Sequence, residues 1–385
     1  MAAFVGQLAA PQTTGSWLRS STISRKPALV RRVRPARLTM TAAPSWTSTP
    51  GMAQEPAESP IMPRIRTDKK VVLITGSSSG IGLEAAKLLA KTGDYFVVMA
   101  NRNFAKAEVA AKTARMKSDS YVVMHLDLAS MDSVRQFARM FDATGLSLNC
   151  IVCNAATWKP KDKVPALTAD GFEEAVGTNH LGHFLLANLL LPKLTGSQPR
   201  VVFIGTETHN PDSIAGKIPP QANLGDLSGL ENALQDGSFS MIDGKGYEPT
   251  KAYKDSKVCN AITMKEFHRR YNRSRGISFC ALFPGCIAES PLFREKRGWF
   301  RTIFPAFQKY VTKQYVSVEE AGRRLKSVVS EPEFYVSGAY WKWNGQKAES
   351  TPSVNSVSRV ASNEEIGKQL WDLSCKLVKI ETPVQ

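Results

Sequence analysis

Short apolar runs alternate along this chain with stretches whose apolar positions recur at helical spacing. That alternation predicts a parallel sheet covered by helices on both faces. Val71–Ile74 reads as a first strand, followed by helical periodicity from Ile81 to Ala90 that Gly93 stops. Tyr95–Ala100 and Tyr121–Leu126 read as the second and third strands, with a helix near Ser130–Phe141. Cys150–Cys153 and Val201–Gly205 follow as the fourth and fifth strands, with a long helix around Phe172–Leu191 between them. A helix over Tyr253–Tyr271 and a strand over Ile277–Leu282 complete a doubly wound, Rossmann-type α/β fold.

Two segments exceed this minimal plan. The stretch between Thr206 and Tyr253, an insertion at about 209–248, is rich in Pro, Gly and Asp and far longer than a usual strand-to-helix connection. Beyond Pro284, over about 288–316, aromatic side chains (Phe293, Trp299, Phe300, Phe304, Phe307, Tyr310) are interleaved with Arg294, Lys296, Arg297, Arg301 and Lys309. Trp299, Ile303 and Phe307 would share one helix face, which Pro305 bends or ends. That face reads either as a surface helix capping the core or as a lid over a large, flat, apolar ligand.

The 385 residues carry a formal charge of +16, which would suggest nucleic acid if it were evenly spread. It is not. Residues 1–54 hold no Asp or Glu but carry Arg19, Arg25, Lys26, Arg31, Arg32, Arg34 and Arg37 in a Ser-, Thr-, Ala- and Pro-rich context. Residues 1–60 are therefore expected to form an organelle-targeting leader ahead of one catalytic domain over 61–385. No nucleic-acid partner is expected. The longest apolar run, around Leu181–Leu191, is broken by His183 and Asn188 and falls short of a membrane span. Cys150 and Cys153 make a C-x-x-C without a second pair at zinc spacing, so a buried strand is expected and no metal site.

The chemistry lies in two motifs. Thr75-Gly76-x-x-x-Gly80-x-Gly82, with Ser78, Ser79 and Ile81 inside it, follows a strand and opens a helix. Its glycines let the backbone approach a pyrophosphate that faces the helix N-terminus. Arg102, after the second strand, suits a 2′-phosphate where an acidic residue would bind free ribose hydroxyls; a solvated surface cation is its plain alternative. Lys106 lies one turn on. Asp127-Leu128 is placed for the adenine, and Asn154-Ala155 lies beside the cofactor. Tyr253 and Lys257 stand one helical turn apart, where the ammonium is expected to lower the phenol pKa and to reach the nicotinamide ribose. Asn179 is placed to order a water or backbone group for proton relay, or simply to hydrogen-bond on its helix face.

In this order the motifs resemble the short-chain dehydrogenase/reductase family across about Lys70–Leu282. Val152-Cys153-Asn154-Ala155-Ala156, Gly177-Thr178-Asn179-His180-Leu181-Gly182-His183-Phe184 and Tyr253-Lys254-Asp255-Ser256-Lys257-Val258-Cys259-Asn260 are similar to its light-dependent protochlorophyllide reductases. So are Phe283-Pro284-Gly285-Cys286, Leu292-Phe293-Arg294-Glu295, Phe307-Gln308-Lys309-Tyr310, Tyr340-Trp341-Lys342-Trp343-Asn344 and Asn223-Leu224-Gly225-Asp226-Leu227. The resemblance implies NADPH as cofactor and light-triggered reduction of the C17=C18 bond of protochlorophyllide, a Mg-tetrapyrrole, in a plastid. Hydride goes to C17 and a proton to C18. Tyr253 and Lys257 match the family's catalytic pair, and Cys286 its active-site cysteine, a rival proton donor. Thr206 stands where the family usually has serine, followed by Glu207 and Thr208, and Trp158 where it commonly has tyrosine. Stromal solubility, peripheral attachment to plastid membranes and homo-oligomerisation stay open here. So do a dark carbonyl or retinal-type reductase and a pigment-binding paralogue without turnover.

Overall fold

The computed structural model describes residues 63–287, 315–345 and 350–381. The leader and nearly all of the aromatic stretch at 288–316 lie outside them, as do Leu292–Glu295 and Phe307–Tyr310.

Eight strands form one sheet in the order β3-β2-β1-β4-β5-β6-β7-β8. They are β1 (Lys70–Thr75), β2 (Tyr95–Asn101), β3 (Tyr121–His125), β4 (Cys150–Cys153), β5 (Arg200–Ile204), β6 (Ser278–Leu282), β7 (Tyr340–Trp343) and β8 (Pro352–Val354). All neighbours pair in parallel except β7 and β8. The strand alternation divides the core. Val71, Leu73, Ile151 and Cys153 join the cluster on one face, whereas Val72, Ile74, Cys150 and Val152 join the other. Cys150 and Cys153 therefore point to opposite faces, and both are buried free thiols.

Helix α1 (Gly80–Thr92) follows β1, buries Ala85, Ala86, Leu89 and Ala90, and ends at Gly93 in the left-handed region. Helix α2 (Phe104–Thr113) begins where the Asn103 side chain accepts the Lys106 N–H at 2.8 Å. Helix α3 (Met131–Ala143) buries Met131, Val134, Phe137 and Phe141. The single helix expected around Phe172–Leu191 is divided instead. A short α4 (Glu174–Val176) runs into a π turn at Gly177–Leu181 and then α5 (Gly182–Leu190). A Cβ at Gly182 would lie 2.4 Å from the Leu128 carbonyl oxygen, so the close approach of this element to the end of β3 requires glycine.

The insertion is not structureless. Leu224, Leu227, Leu230 and Ala233 are buried around α6 (Ser228–Asp236) and join the main core cluster. Helix α7 (Pro249–Arg275) starts with the Glu248 carboxylate accepting the Lys251 N–H and Pro249 in the first turn, and ends at Gly276 with φ 63°. After β6 come α8 (Val318–Ser330), α9 (Arg359–Ser362) and α10 (Glu364–Leu377). Among the described residues no helix is long and apolar enough to cross a membrane.

Candidate active site

The strand order reverses between β1 and β4, and a cleft opens at the carboxyl ends of the strands there. It encloses about 640 Å³. Every site residue expected from the sequence borders it except Thr75, Gly82 and Asn179. Those three stand just behind its wall and brace it.

The Thr75 hydroxyl accepts the N–H groups of Asn154 at 2.9 Å and Ala155 at 3.0 Å, locking the end of β4 to β1. Its proton goes to His183 Nε2 at 2.9 Å, because His183 Nδ1–H donates to the Asn179 carbonyl at 2.9 Å. Burial lowers the His183 pKa to about 4, so the neutral tautomer that this network requires is the one present. Asn154 Nδ2 donates to the carbonyls of Thr75 at 2.8 Å and Gly76 at 3.3 Å. A Cβ at Gly82 would lie 2.6 Å from that nitrogen and 2.9 Å from the Gly76 oxygen. The glycine loop is thus clamped against β4, with Gly76 and Gly80 at φ 65° and 58°.

Buried Asn101, at the end of β2, completes the clamp. Its Oδ1 accepts the Ser78 N–H at 3.0 Å and its Nδ2 donates to Ser77 Oγ at 3.0 Å. Sequence reasoning assigned Asn101 nothing; a polar residue ending an apolar strand beside the glycine loop was the available signal. Arg102 and Lys106 follow, exposed at the cleft, and neither has an ion-pair partner among the described residues. Asp127 accepts the Ala129 N–H at 3.0 Å and stands with Leu128 on the same rim.

Asn179 lies in the π turn, fully buried. Its amide donates to the Thr157 carbonyl at 3.1 Å and to Ser256 Oγ at 3.0 Å, and its Oδ1 accepts the Thr157 N–H at 2.8 Å. Ser256 in turn donates to the Tyr253 carbonyl at 2.7 Å. Asn179 therefore ties the segment after β4 to the turn of α7 that carries Tyr253. The one-residue widening of the helix is what aims it there.

Tyr253 stacks on Trp158, with centroids 5.4 Å apart and planes at 29°. The Lys257 ammonium lies 5.9 Å from the Tyr253 ring centroid and donates to the Ile204 carbonyl at 2.9 Å. The expectation that Lys257 lowers the Tyr253 pKa does not hold in this structure. Burial raises it, and the neighbouring Cys286 adds to the rise, while Lys257 is turned toward a carbonyl and its own pKa is lowered by burial to about 8. Cys286 follows Gly285 (φ 110°), and its thiol is pushed up by burial to about 12. Both candidate donors are therefore held protonated at neutral pH.

Thr206 and Thr208 put their hydroxyls 3.2 Å apart on the cleft wall. Glu207, whose pKa burial raises, is engaged from the sheet edge by Asn355 at 3.1 Å and Lys342 at 4.0 Å. Its carboxylate thus has polar company beside the apolar site.

A nicotinamide oxidoreductase is the class that this fold and cleft define. A model described as short chain dehydrogenase matches residues 70–216. The chain is 54% identical over 314 residues to a chloroplastic protochlorophyllide reductase of Daucus carota, covering 80% of this chain and 78% of that one. It is 48% identical over 379 residues to protochlorophyllide reductase A of Oryza sativa subsp. japonica, covering 97% and 94%. With the Chlamydomonas reinhardtii enzyme of the same name the identity is 52% over 314 residues. Among solved structures, a short-chain dehydrogenase/reductase from Brucella melitensis superposes with a TM-score of 0.50 at 14% identity, covering 70% of this chain and 93% of that one, which bears on the fold alone. The chain belongs to the short-chain dehydrogenase/reductase family and, within it, to the protochlorophyllide reductases.

Proposed function

We propose that this protein uses NADPH to reduce the C17=C18 double bond of protochlorophyllide to chlorophyllide, driven by light that the pigment absorbs. The observation that carries this reading is one continuous cleft with an anion cradle at one end and Tyr253, Lys257 and Cys286 at the other. The relatives' name supplies the substrate and the plastid location. A dark carbonyl reductase finds no support in those names. We place the protein in the plastid stroma or peripherally on thylakoid membranes.

The cradle fits a dinucleotide, because Gly76 and Gly80 take positive φ, the loop lies so close to β4 that a Cβ at Gly76 or Gly82 would strike Ala155 or Asn154, and Arg102 and Lys106 at the cleft have no carboxylate partner among the described residues. Amides of the Gly76–Gly82 loop would receive the pyrophosphate, Arg102 and Lys106 the 2′-phosphate, and Lys257 the nicotinamide ribose. NADPH, when bound, supplies the hydride. Tyr253 delivers the proton to C18, with its neighbour Cys286 the rival donor. Trp158 orients the phenol by stacking, and Asn179 fixes the backbone of its helical turn. Illuminating purified protein with NADPH and protochlorophyllide tests the reading: chlorophyllide absorbance should replace that of the substrate. Bound pigment that stays unreduced in light would remove it.

Arg102→Ala should weaken NADPH by about 10- to 100-fold, the range for hydrogen bonds to a charged group, and leave NADH within about twofold. Equal losses in nucleotide-fluorescence titrations would refute the 2′-phosphate assignment.

NADPH affinity should also fall as pH rises through the Lys257 pKa of about 8, because the ammonium that donates to ribose is lost there. The stability sign is opposite. The lysine pKa is lowered from its unfolded value of about 10.4, so the cost of burying the ammonium is relieved as pH climbs from about 8 to about 10.4. Lys257→Met should remove this inflection from a binding titration, and an unaltered profile would contradict the assignment.

A further inference from the structure

Helix α7 works on both sides of its catalytic turn. Tyr253, Lys254 and Lys257 border the cleft, and Lys254, with Lys251 and Asp255, also holds the segment between β5 and α7. Lys254, only 5% exposed, donates to the carbonyls of Ile218 at 2.6 Å and Pro220 at 2.8 Å. Asp255 accepts the Asn223 N–H at 2.8 Å and pairs with Lys251 at 2.6 Å. Lys251 also donates to the Asn223 carbonyl at 2.6 Å and faces Asp243 at 3.0 Å. Three side chains within two residues of Tyr253 therefore grip the insertion at four points along its length.

The gripped part forms a wall of the cleft. Ala215, Ile218, Pro219 and Pro220 all border it. Pro219 and Pro220 have no N–H, so this stretch has little capacity to fix itself by backbone pairing. A donor from outside is needed, and a nearly buried ammonium spanning two carbonyls is an expensive one to place in a mere connection. Ile218 is nevertheless 53% exposed, an apolar side chain held open beside the catalytic turn. Lining the cleft, that side chain is open to contact by an apolar ligand.

We propose that Lys254 is a positioning residue for the pigment: by fixing the carbonyls of Ile218 and Pro220 it holds an apolar wall against one face of the macrocycle. The register of the substrate is then set from the same helical turn that carries the proton donor. This rests on the tetrapyrrole reading above.

The test compares wild type, Lys254→Met, Lys254→Arg and Ile218→Ala in darkness. NADPH affinity is followed by nucleotide fluorescence and protochlorophyllide affinity by the shift of its absorbance in the ternary complex. Lys254→Met should weaken pigment about tenfold or more while NADPH stays within about twofold, because only hydrogen bonds from a charged donor to the wall are lost. Lys254→Arg should recover most of the loss, since its fork can also span two carbonyls. Ile218→Ala should weaken pigment about three- to tenfold through lost apolar contact alone. In flash experiments the apparent KM for pigment should rise more than the saturated yield falls. Pigment affinity unchanged in Lys254→Met, or NADPH and pigment affinity falling together, would overturn the proposal. If Lys254→Met does not fold, Ile218→Ala decides, and normal pigment binding there overturns it. Wild-type protein that binds no pigment at all would instead sink the parent reading.

Discussion

Tyr253→Phe is expected to cut the rate of chlorophyllide formation by about 100-fold or more, the usual contribution of a positioned general acid, while NADPH affinity stays within about twofold. The substitution removes one oxygen. Stacking on Trp158 and the hydrogen bond from Ser256 to the Tyr253 carbonyl do not involve that oxygen, so the helix and ring should stay in place. Burial keeps the phenol protonated well above neutral pH, which suits a donor and not a base. The Cys286 thiol, pushed up to about 12, is held protonated in the same way. Flash kinetics separate the two: a slow proton step in Tyr253→Phe with a normal one in Cys286→Ser gives the role to the tyrosine. An unaltered Tyr253→Phe trace takes it from the tyrosine and shifts it to Cys286 or water.

Gly82→Ala should lower NADPH affinity by about 100-fold and reduce thermal stability by about 1–3 kcal/mol, the range for overpacking a tight contact. The added methyl would meet Asn154 Nδ2 at 2.6 Å and the Gly76 carbonyl at 2.9 Å. Asn154 is not free to swing aside, because its amide already bonds Thr75 and Gly76. The methyl therefore moves the loop whose amides face the pyrophosphate. Gly93→Ala is the control. It has φ 86° at the end of α1 with no atom within 4 Å of an added Cβ, so it should cost about 1 kcal/mol and leave NADPH affinity intact. Nucleotide titration with thermal melts of both variants checks the contrast, and normal NADPH binding by Gly82→Ala would contradict it.

Much of this fold was legible in the sequence because buried parallel strands read as unbroken apolar runs, and all six expected strands coincide with observed ones to within a residue or so. The last two strands, β7 and β8, were not, being short and, in β8, only Pro352-Ser353-Val354. Helix α6 was hidden by the Pro, Gly and Asp residues around it. Leu224, Leu227, Leu230 and Ala233 at i, i+3 spacing carried its signal. The π turn at Asn179 is set by packing against Leu128 and the segment after β4, which no local pattern encodes. The direction of the Tyr253 pKa was misjudged for a related reason. Helical spacing fixes how near Lys257 stands, but burial is a property of the whole fold, and here burial wins. The grip of Lys254 on Ile218 and Pro220 joins residues more than thirty positions apart and likewise had no local trace.

Deuterium at the transferred position of NADPH tests the central claim most directly. In a single saturating flash on the ternary complex, chlorophyllide should appear with deuterium at C17, slowed by an isotope effect on the first step after excitation, and none should form in darkness. Product without label at C17, or equal product in the dark, would contradict direct light-driven hydride transfer within this cleft.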